Sequence, residues 1–263
     1  MASRGWAPQL KPKATLALVH GHGEHTGRFA HVGAALVEGG YALLGFDLRG
    51  HGASGGGRGR TPSYERLLED IADFHQQIRQ RDPDQPVFLY GHSLGGNLVL
   101  NYVLRRSTDL AGVIVTGPWL KLAFDPPAVQ IALARGLNAI APDFSMNSGL
   151  NVKGLSHDLT VVNAYVADPL VHSKISPRLY VGVTEAGEWA LAHADQLPLP
   201  LLLMHGGADP VTSAKASRKF AEKAGPKVTL RVWDGLYHEI HNEAQKAEVF
   251  QVMLSWLDCH LPG

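Results

Sequence analysis

Val87-Phe88-Leu89-Tyr90-Gly91-His92-Ser93-Leu94-Gly95-Gly96 decides the fold. Its apolar start reads as the end of a buried strand, and Asn97 to Leu104 continue as a helical stretch, so the chain must reverse within a few residues. A turn that tight admits only small neighbours. Gly91 and Gly95 therefore flank the serine in a G-x-S-x-G pattern, and the strain lifts the Ser93 hydroxyl clear of the sheet edge. A second match, Gly52-Ala53-Ser54-Gly55-Gly56, runs into Gly57-Arg58-Gly59-Arg60, which cannot begin a regular helix. Ser54 is read as a loop residue.

Working outward, short apolar runs recur at Thr15 to His20, Tyr41 to Leu48, Pro86 to Tyr90, Ala111 to Thr116, Leu199 to His205 and Val228 to Trp233. These predict buried strands of a mostly parallel sheet. Helical stretches lie between them. Leu67, Ile71, Phe74 and Ile78 repeat at helical spacing, a helix opening near Arg28 closes at Gly39-Gly40, and Val249, Met253 and Trp256 mark a last helix. Alternation of strand and helix predicts an α/β fold with helices on both faces. The interval from Pro118 to Gln196 breaks it, since roughly 80 residues stand where a crossover needs far fewer. We expect residues 1–117 and 197–263 to form the core and 118–196 to be a helical cap, or lid, inserted between strands. Pro126, Pro127, Pro142 and Pro177 divide that interval into short helices, one of them over the apolar Ala128 to Ile140. The rival expectation is a packing extension that lines nothing.

A serine hydroxyl becomes a nucleophile only when a base takes its proton, so a carboxylate and then a histidine should follow Ser93. Asp209 follows the strand at Leu201 to His205 across Gly206-Gly207-Ala208, and His238 lies on the loop after Val228 to Trp233. Asp234 competes as the acid but is too near His238 in sequence to approach its far nitrogen. Ester hydrolysis also needs two backbone N–H donors for the oxyanion. Leu94 supplies one, and the turn His20-Gly21-His22-Gly23 supplies the other through the His22 amide. The same turn, continued to Glu24 and His25, has the spacing of binuclear zinc hydrolases. A zinc enzyme using His20, His22 and His25, with His92 or His205 added, is therefore the rival class. His238-Glu239-Ile240-His241 is one residue short of a zinc-protease motif.

Lys plus Arg equals Asp plus Glu, 24 each, and no basic stripe alternates with aromatics, so nucleic acid is not an expected partner. With 263 residues, 45% of them hydrophobic, the chain can bury a core without disulfides, and Cys259 is its one cysteine. The start MASRGWAPQLKPK lacks the apolar core of a secretory signal and no apolar run reaches roughly 18 residues, so a cytoplasmic protein is expected. The serine chemistry requires no cofactor and no metal.

HGHGEHTGRF at 20–29, FDLRGHGASGG at 46–56, PVFLYGHSLGG at 86–96, NAYVADPLVH at 163–172, LLLMHGGADPVT at 201–212 and YHEIHNE at 237–243 span nearly the whole chain. Together they resemble the monoacylglycerol lipase and lysophospholipase branch of the α/β-hydrolases, the serine aminopeptidase-like group. The resemblance implies an α/β-hydrolase fold and cleavage of a monoacylglycerol, or a similar single-chain lipid ester, to fatty acid and glycerol through an acyl-enzyme. A broad carboxylesterase or lysophospholipase with the same triad is the alternative. It further implies that Glu24, Arg28 and His241 hold the glycerol head group, with Tyr165 nearby on the cap. Apolar cap helices, Ala128 to Ile140 among them, would line the acyl channel and touch a membrane or lipid surface transiently. The competing reading of Glu24 and Arg28 is an ion pair that supports the oxyanion turn. An aminopeptidase is disfavoured because no acidic pair stands out to anchor an amine, and a complete triad argues against a non-catalytic receptor. The chain before Thr15 is short for the family, so one or both of the antiparallel strands that open the fold are expected to be missing.

Overall fold

The computed structural model describes residues 1–262. Seven strands form one sheet: β1 (Ser3–Trp6), β2 (Thr15–Val19), β3 (Ala42–Phe46), β4 (Val87–His92), β5 (Gly112–Thr116), β8 (Leu201–Gly206) and β9 (Val228–Trp233), in the order β1-β3-β2-β4-β5-β8-β9. All neighbours are parallel except β1, which runs antiparallel to β3 with Ser3 opposite Phe46 and Trp6 opposite Leu43. Among the described residues β1 is the one antiparallel strand of this sheet and forms its edge.

Strands β2, β4, β5 and β8 are buried along their whole length because helices cover both faces. Successive side chains serve opposite faces. Val87 and Leu89 point to the layer of α2 (Tyr64–Arg81), α3 (Leu94–Arg105) and α7 (Ala214–Ala224), with Leu67, Ile71, Leu98 and Phe220. Phe88 and Tyr90 point to the layer of α1 (Ala30–Glu38) and α8 (Lys246–Cys259), with Val32, Leu36, Val249 and Met253. Ser63 starts α2 by accepting a hydrogen bond from the Arg66 amide. The fold is an α/β-hydrolase fold with an inserted helical cap region.

That insertion, between β5 and β8, holds α4 (Ala128–Ile140), α5 (Leu159–Ala167), α6 (Pro177–Ala192) and a small antiparallel pair, β6 (Met146–Asn147) with β7 (Lys174–Ile175). Helix α6 packs into the main core through Leu179, Val183 and Ala190. The expectation for α4 is overturned. Only its Ala134 is buried, none of its residues lines the large cavity described below, and Val129, Leu133 and Ile140 are exposed. Its apolar stripe is wider than the one face that α6 covers, so the remainder faces outward. Among the described residues no helix is long and apolar enough to cross a membrane.

Parallel register aligns the strand ends: Val19 pairs with Gly91, His92 with Thr116, and Gly206 with Trp233. The loops that follow β2, β4, β8 and β9 therefore open along one edge. Strand order reverses between β2 and β4, where a crevice forms beyond the carboxyl ends of the strands.

Candidate active site

Ser93 stands between β4 and α3 with φ 55° and ψ −114°, and among the described residues no other non-glycine has a positive φ. Such a conformation costs of order 1 to 3 kcal/mol and persists because the surroundings enforce it. The Ser93 amide donates to the Thr116 carbonyl on β5 at 3.0 Å, and its carbonyl accepts from Asn97 and Trp119, each at 3.0 Å. A Cβ on Gly95 would overlap the Val19 carbonyl oxygen, so only glycine lets α3 start this close to β2. Ser54, by contrast, donates to the Asp47 carbonyl at 2.6 Å and accepts from the Ala2 amide at 2.9 Å, which braces a loop.

Asp209 and His238 meet although 29 residues separate them. The Nδ1–H of His238 donates to Asp209 Oδ2 at 2.8 Å. The other carboxylate oxygen accepts from the Val211 amide at 2.7 Å and the Thr212 amide at 3.0 Å, which fixes its plane. Burial alone would raise the Asp209 pKa, but His238 and its hydrogen bonds hold it below the usual carboxylate range. Burial likewise works against a charged His238. The Asp209 carboxylate outweighs it and raises the imidazole above its ordinary value. Asp234, the competitor for the acid, is exposed.

Ser93 and His238 line one cavity of about 140 Å³, together with Gly21 and His22. The Gly21 amide is taken, donating to Glu24 Oε1 at 2.7 Å. Among the described residues the amides of His22 and Leu94 have no partner within the protein. Unpartnered N–H groups beside a serine hydroxyl are able to receive a hydrogen-bond acceptor there. The His22 ring is a different matter: burial pushes it down to about 3, so it is neutral.

The predicted head-group residues separate. Glu24 and Tyr165 line the cavity, whereas Arg28 and His241 do not. Arg28 reaches from beneath, donating Nη1 to Glu24 Oε2 at 2.5 Å and to Glu239 Oε1 at 2.7 Å, and Nη2 to Glu239 Oε2 at 2.7 Å. Its guanidinium also sits 4.6 Å from the Tyr165 ring centroid. These contacts spend it as a cross-brace between the turn at Gly21 to Glu24 and the segment after His238. His241 is 1% exposed, its ring centroid 5.0 Å from that of Phe29 and 4.8 Å from that of His92. Packing of that kind drives its pKa down to about 3 and leaves it behind the site rather than in it.

Glu239 is the residue that sequence reasoning missed. It lines the cavity, accepts from the Asn242 side chain at 2.7 Å, and is held below the usual carboxylate range by Arg28 against the opposing effect of burial. The acidic pair absent from the sequence reading is therefore present as Glu24 and Glu239. No local signal marks it, because its partner Arg28 lies 211 residues away. The rest of the wall is largely apolar, with Leu122, Phe124, Leu150, Ile175 and Val211, and no Lys or Arg lines it.

The zinc reading fails on its donors. His20 accepts the Leu48 amide at Nε2 and has Nδ1 2.8 Å from the Gly21 carbonyl, while His25 accepts the Gly27 amide and pairs with Asp168 at 2.8 Å. Their nitrogens are spent on structure. Among the described residues no three His, Cys, Asp or Glu are grouped to hold a metal ion.

Residues 10–245 match the family described as serine aminopeptidase, S33. A monoacylglycerol lipase of Mycolicibacterium smegmatis is 32% identical over 97% of this chain and 92% of that protein. An uncharacterized abhydrolase domain-containing protein of Dictyostelium discoideum is 39% identical over 98% of this chain, which spans only 27% of that larger protein. The crystal structure of a Paleococcus ferrophilus monoacylglycerol lipase superposes with a TM-score of 0.90 at 33% identity, covering 98% of each chain. With this fold and a Ser-His-Asp arrangement in one cavity, the chain belongs to the S33 serine aminopeptidase family of α/β-hydrolases, closely related to monoacylglycerol lipases and esterases, and is a serine hydrolase acting on esters.

Proposed function

We propose that the chain hydrolyses monoacylglycerols or closely similar neutral single-chain esters. Ser93 attacks the ester carbonyl while His238 takes its proton, and Asp209 stabilises the imidazolium. The amides of His22 and Leu94 hold the oxyanion. His238 then protonates the departing alcohol, and a water activated by the same ring releases the acyl group from Ser93. No step calls on a cofactor.

The observation that carries the choice of alcohol is the pair of buried carboxylates in the cavity wall. Glu24 and Glu239 share one guanidinium, Glu239 held below the usual carboxylate range by Arg28 and Glu24 raised above it by burial, and both face the cavity with lone pairs that still need donors. Glycerol hydroxyls donate; a phosphodiester only accepts and carries the wrong charge. Arg28 already occupies the space between the carboxylates where a substrate ammonium would sit, which disfavours an aminopeptidase. In this reading Glu239 replaces His241 as a head-group contact, beside Glu24 and Tyr165. Residues 118–196 act as the cap, contributing Trp119, Leu122, Leu150, Tyr165 and Tyr180 to the cavity wall, and the exposed Phe124, Val129, Leu133 and Ile140 meet a lipid surface.

The test is kcat/KM on esters of one acyl chain: a monoacylglycerol, a lysophosphatidylglycerol and a p-nitrophenyl ester. The monoacylglycerol should exceed the lysophospholipid by about tenfold or more. Equal rates on those two would remove the head-group argument and leave a general carboxylesterase.

A further inference from the structure

Asp209 Oδ2 is approached by more than His238. His205, next to last in strand β8, is fully buried, and its Nε2 lies 3.0 Å from that same oxygen. Nε2 is also 3.2 Å from the Thr212 carbonyl oxygen, and Nδ1 is 2.8 Å from the Ser217 hydroxyl on α7. A carbonyl and a carboxylate can only accept, so the ring proton belongs on Nε2, shared between them, and Nδ1 accepts from Ser217. Thr212 Oγ1 stands 2.8 Å from Oδ2 as well. Packing alone would be served by leucine at this depth, whereas both nitrogens of the His205 ring are engaged.

We propose that His205 is a positioning residue of the hydrolytic site, presenting its Nε2–H to the same oxygen, Asp209 Oδ2, that the Nδ1–H of His238 reaches. It does two things there. It holds the carboxylate in the plane that meets His238 Nδ1, and it draws off part of the negative charge that would otherwise act on His238 alone. Ser217 sets the tautomer, so the chain of contacts runs Ser217, His205, Asp209, His238 toward Ser93. The charged and titratable groups that act on His238 are Asp209 from the loop after β8, His92 from β4 with ring centroids 4.8 Å apart, Glu239 and His241 on its own segment and Glu24 from the loop after β2. His205 acts on it only through Asp209.

The proposal rests on Asp209 as the partner of the base, and Asp209→Asn tests that separately. Retained activity in Asp209→Asn would refute the triad reading itself. With that reading intact, kcat/KM against pH is measured for His205→Leu, His205→Asn and His205→Gln on a soluble ester, each corrected for active sites titrated with a phosphonate. The Gln amide nitrogen falls near the position of Nε2, and the Asn amide nitrogen near that of Nδ1. His205→Leu and His205→Asn should lose about tenfold in kcat with little change in KM, and their acid limb should move up by about half a pH unit or more, because Asp209 then acts undivided on His238. His205→Gln should restore both. A protein weakened only in packing loses active sites without moving the limb. An unmoved acid limb in both His205→Leu and His205→Asn, or a His205→Gln limb displaced as far as theirs, overturns the proposal.

Discussion

Arg28→Met removes the one cation between two buried carboxylates, and the structure sets the size of the effect. Glu24 and Glu239 are 3% and 2% exposed at the side chain, and Arg28 donates three hydrogen bonds to them at 2.5 to 2.7 Å. The substitution takes the one positive charge out of the cluster and leaves two acidic side chains facing each other. Breaking a buried pair by deleting one partner costs about 3 to 5 kcal/mol, a large part of the roughly 5 to 15 kcal/mol that holds a domain folded. The pH dependence identifies the cause. In the native protein Glu239 is held below its unfolded value, so it contributes stability above the ordinary carboxylate pKa and loses it as pH falls through its folded one. Burial, with Glu239 adding to it, already raises the neighbouring Glu24 above its ordinary value against the pull of Arg28, and without Arg28 it is raised further. Stability is then present at low pH and lost as pH rises through the raised pKa. Urea unfolding followed by circular dichroism at pH 8, 6.5 and 5 should show the gap between Arg28→Met and the native chain narrowing toward pH 5. Adding Glu239→Gln to Arg28→Met should recover part of the loss at pH 8. A gap below about 1 kcal/mol at pH 8 that stays constant with pH would refute the cross-brace.

Two further outcomes follow from the same geometry. His238 must be neutral to accept the Ser93 proton, and Asp209 stabilises its charged form, so the acid limb of kcat/KM should lie above the ordinary imidazole value of 6.5; a midpoint below it would contradict the pairing. Leu133→Asp and Ile140→Asp alter side chains that are 61% and 82% exposed, so turnover of a soluble ester should be unchanged while turnover of a monoacylglycerol held in vesicles falls several-fold. Equal rates on vesicles would detach this face from lipid contact.

The elbow was legible because its chemistry is local: Gly91, Ser93 and Gly95 stand within five residues, between a strand and a helix that each announce themselves by periodicity. Strand ends were legible for a similar reason, since Asp209 and His238 each follow an apolar run closed by glycine or aspartate. What escaped the sequence is long-range pairing. Glu239 looked like part of a truncated zinc motif, and nothing in its neighbourhood reveals that Arg28 is its partner. His241 and His238 stand three residues apart on a loop, yet one ring faces the cavity and the other packs against Phe29. The α4 stretch shows the limit of composition: Ala, Val, Ile and Leu mark it as apolar without saying which face finds a partner, and most of it finds none.

The central claim is that Ser93 is the nucleophile. Intact-protein and peptide mass spectrometry after reaction with an alkyl phosphonate tests it most directly. We expect one adduct per chain, on the peptide that contains Ser93, absent in Ser93→Ala and unchanged in Ser54→Ala. An adduct on Ser54, or turnover of esters by Ser93→Ala at the native rate, would contradict the account.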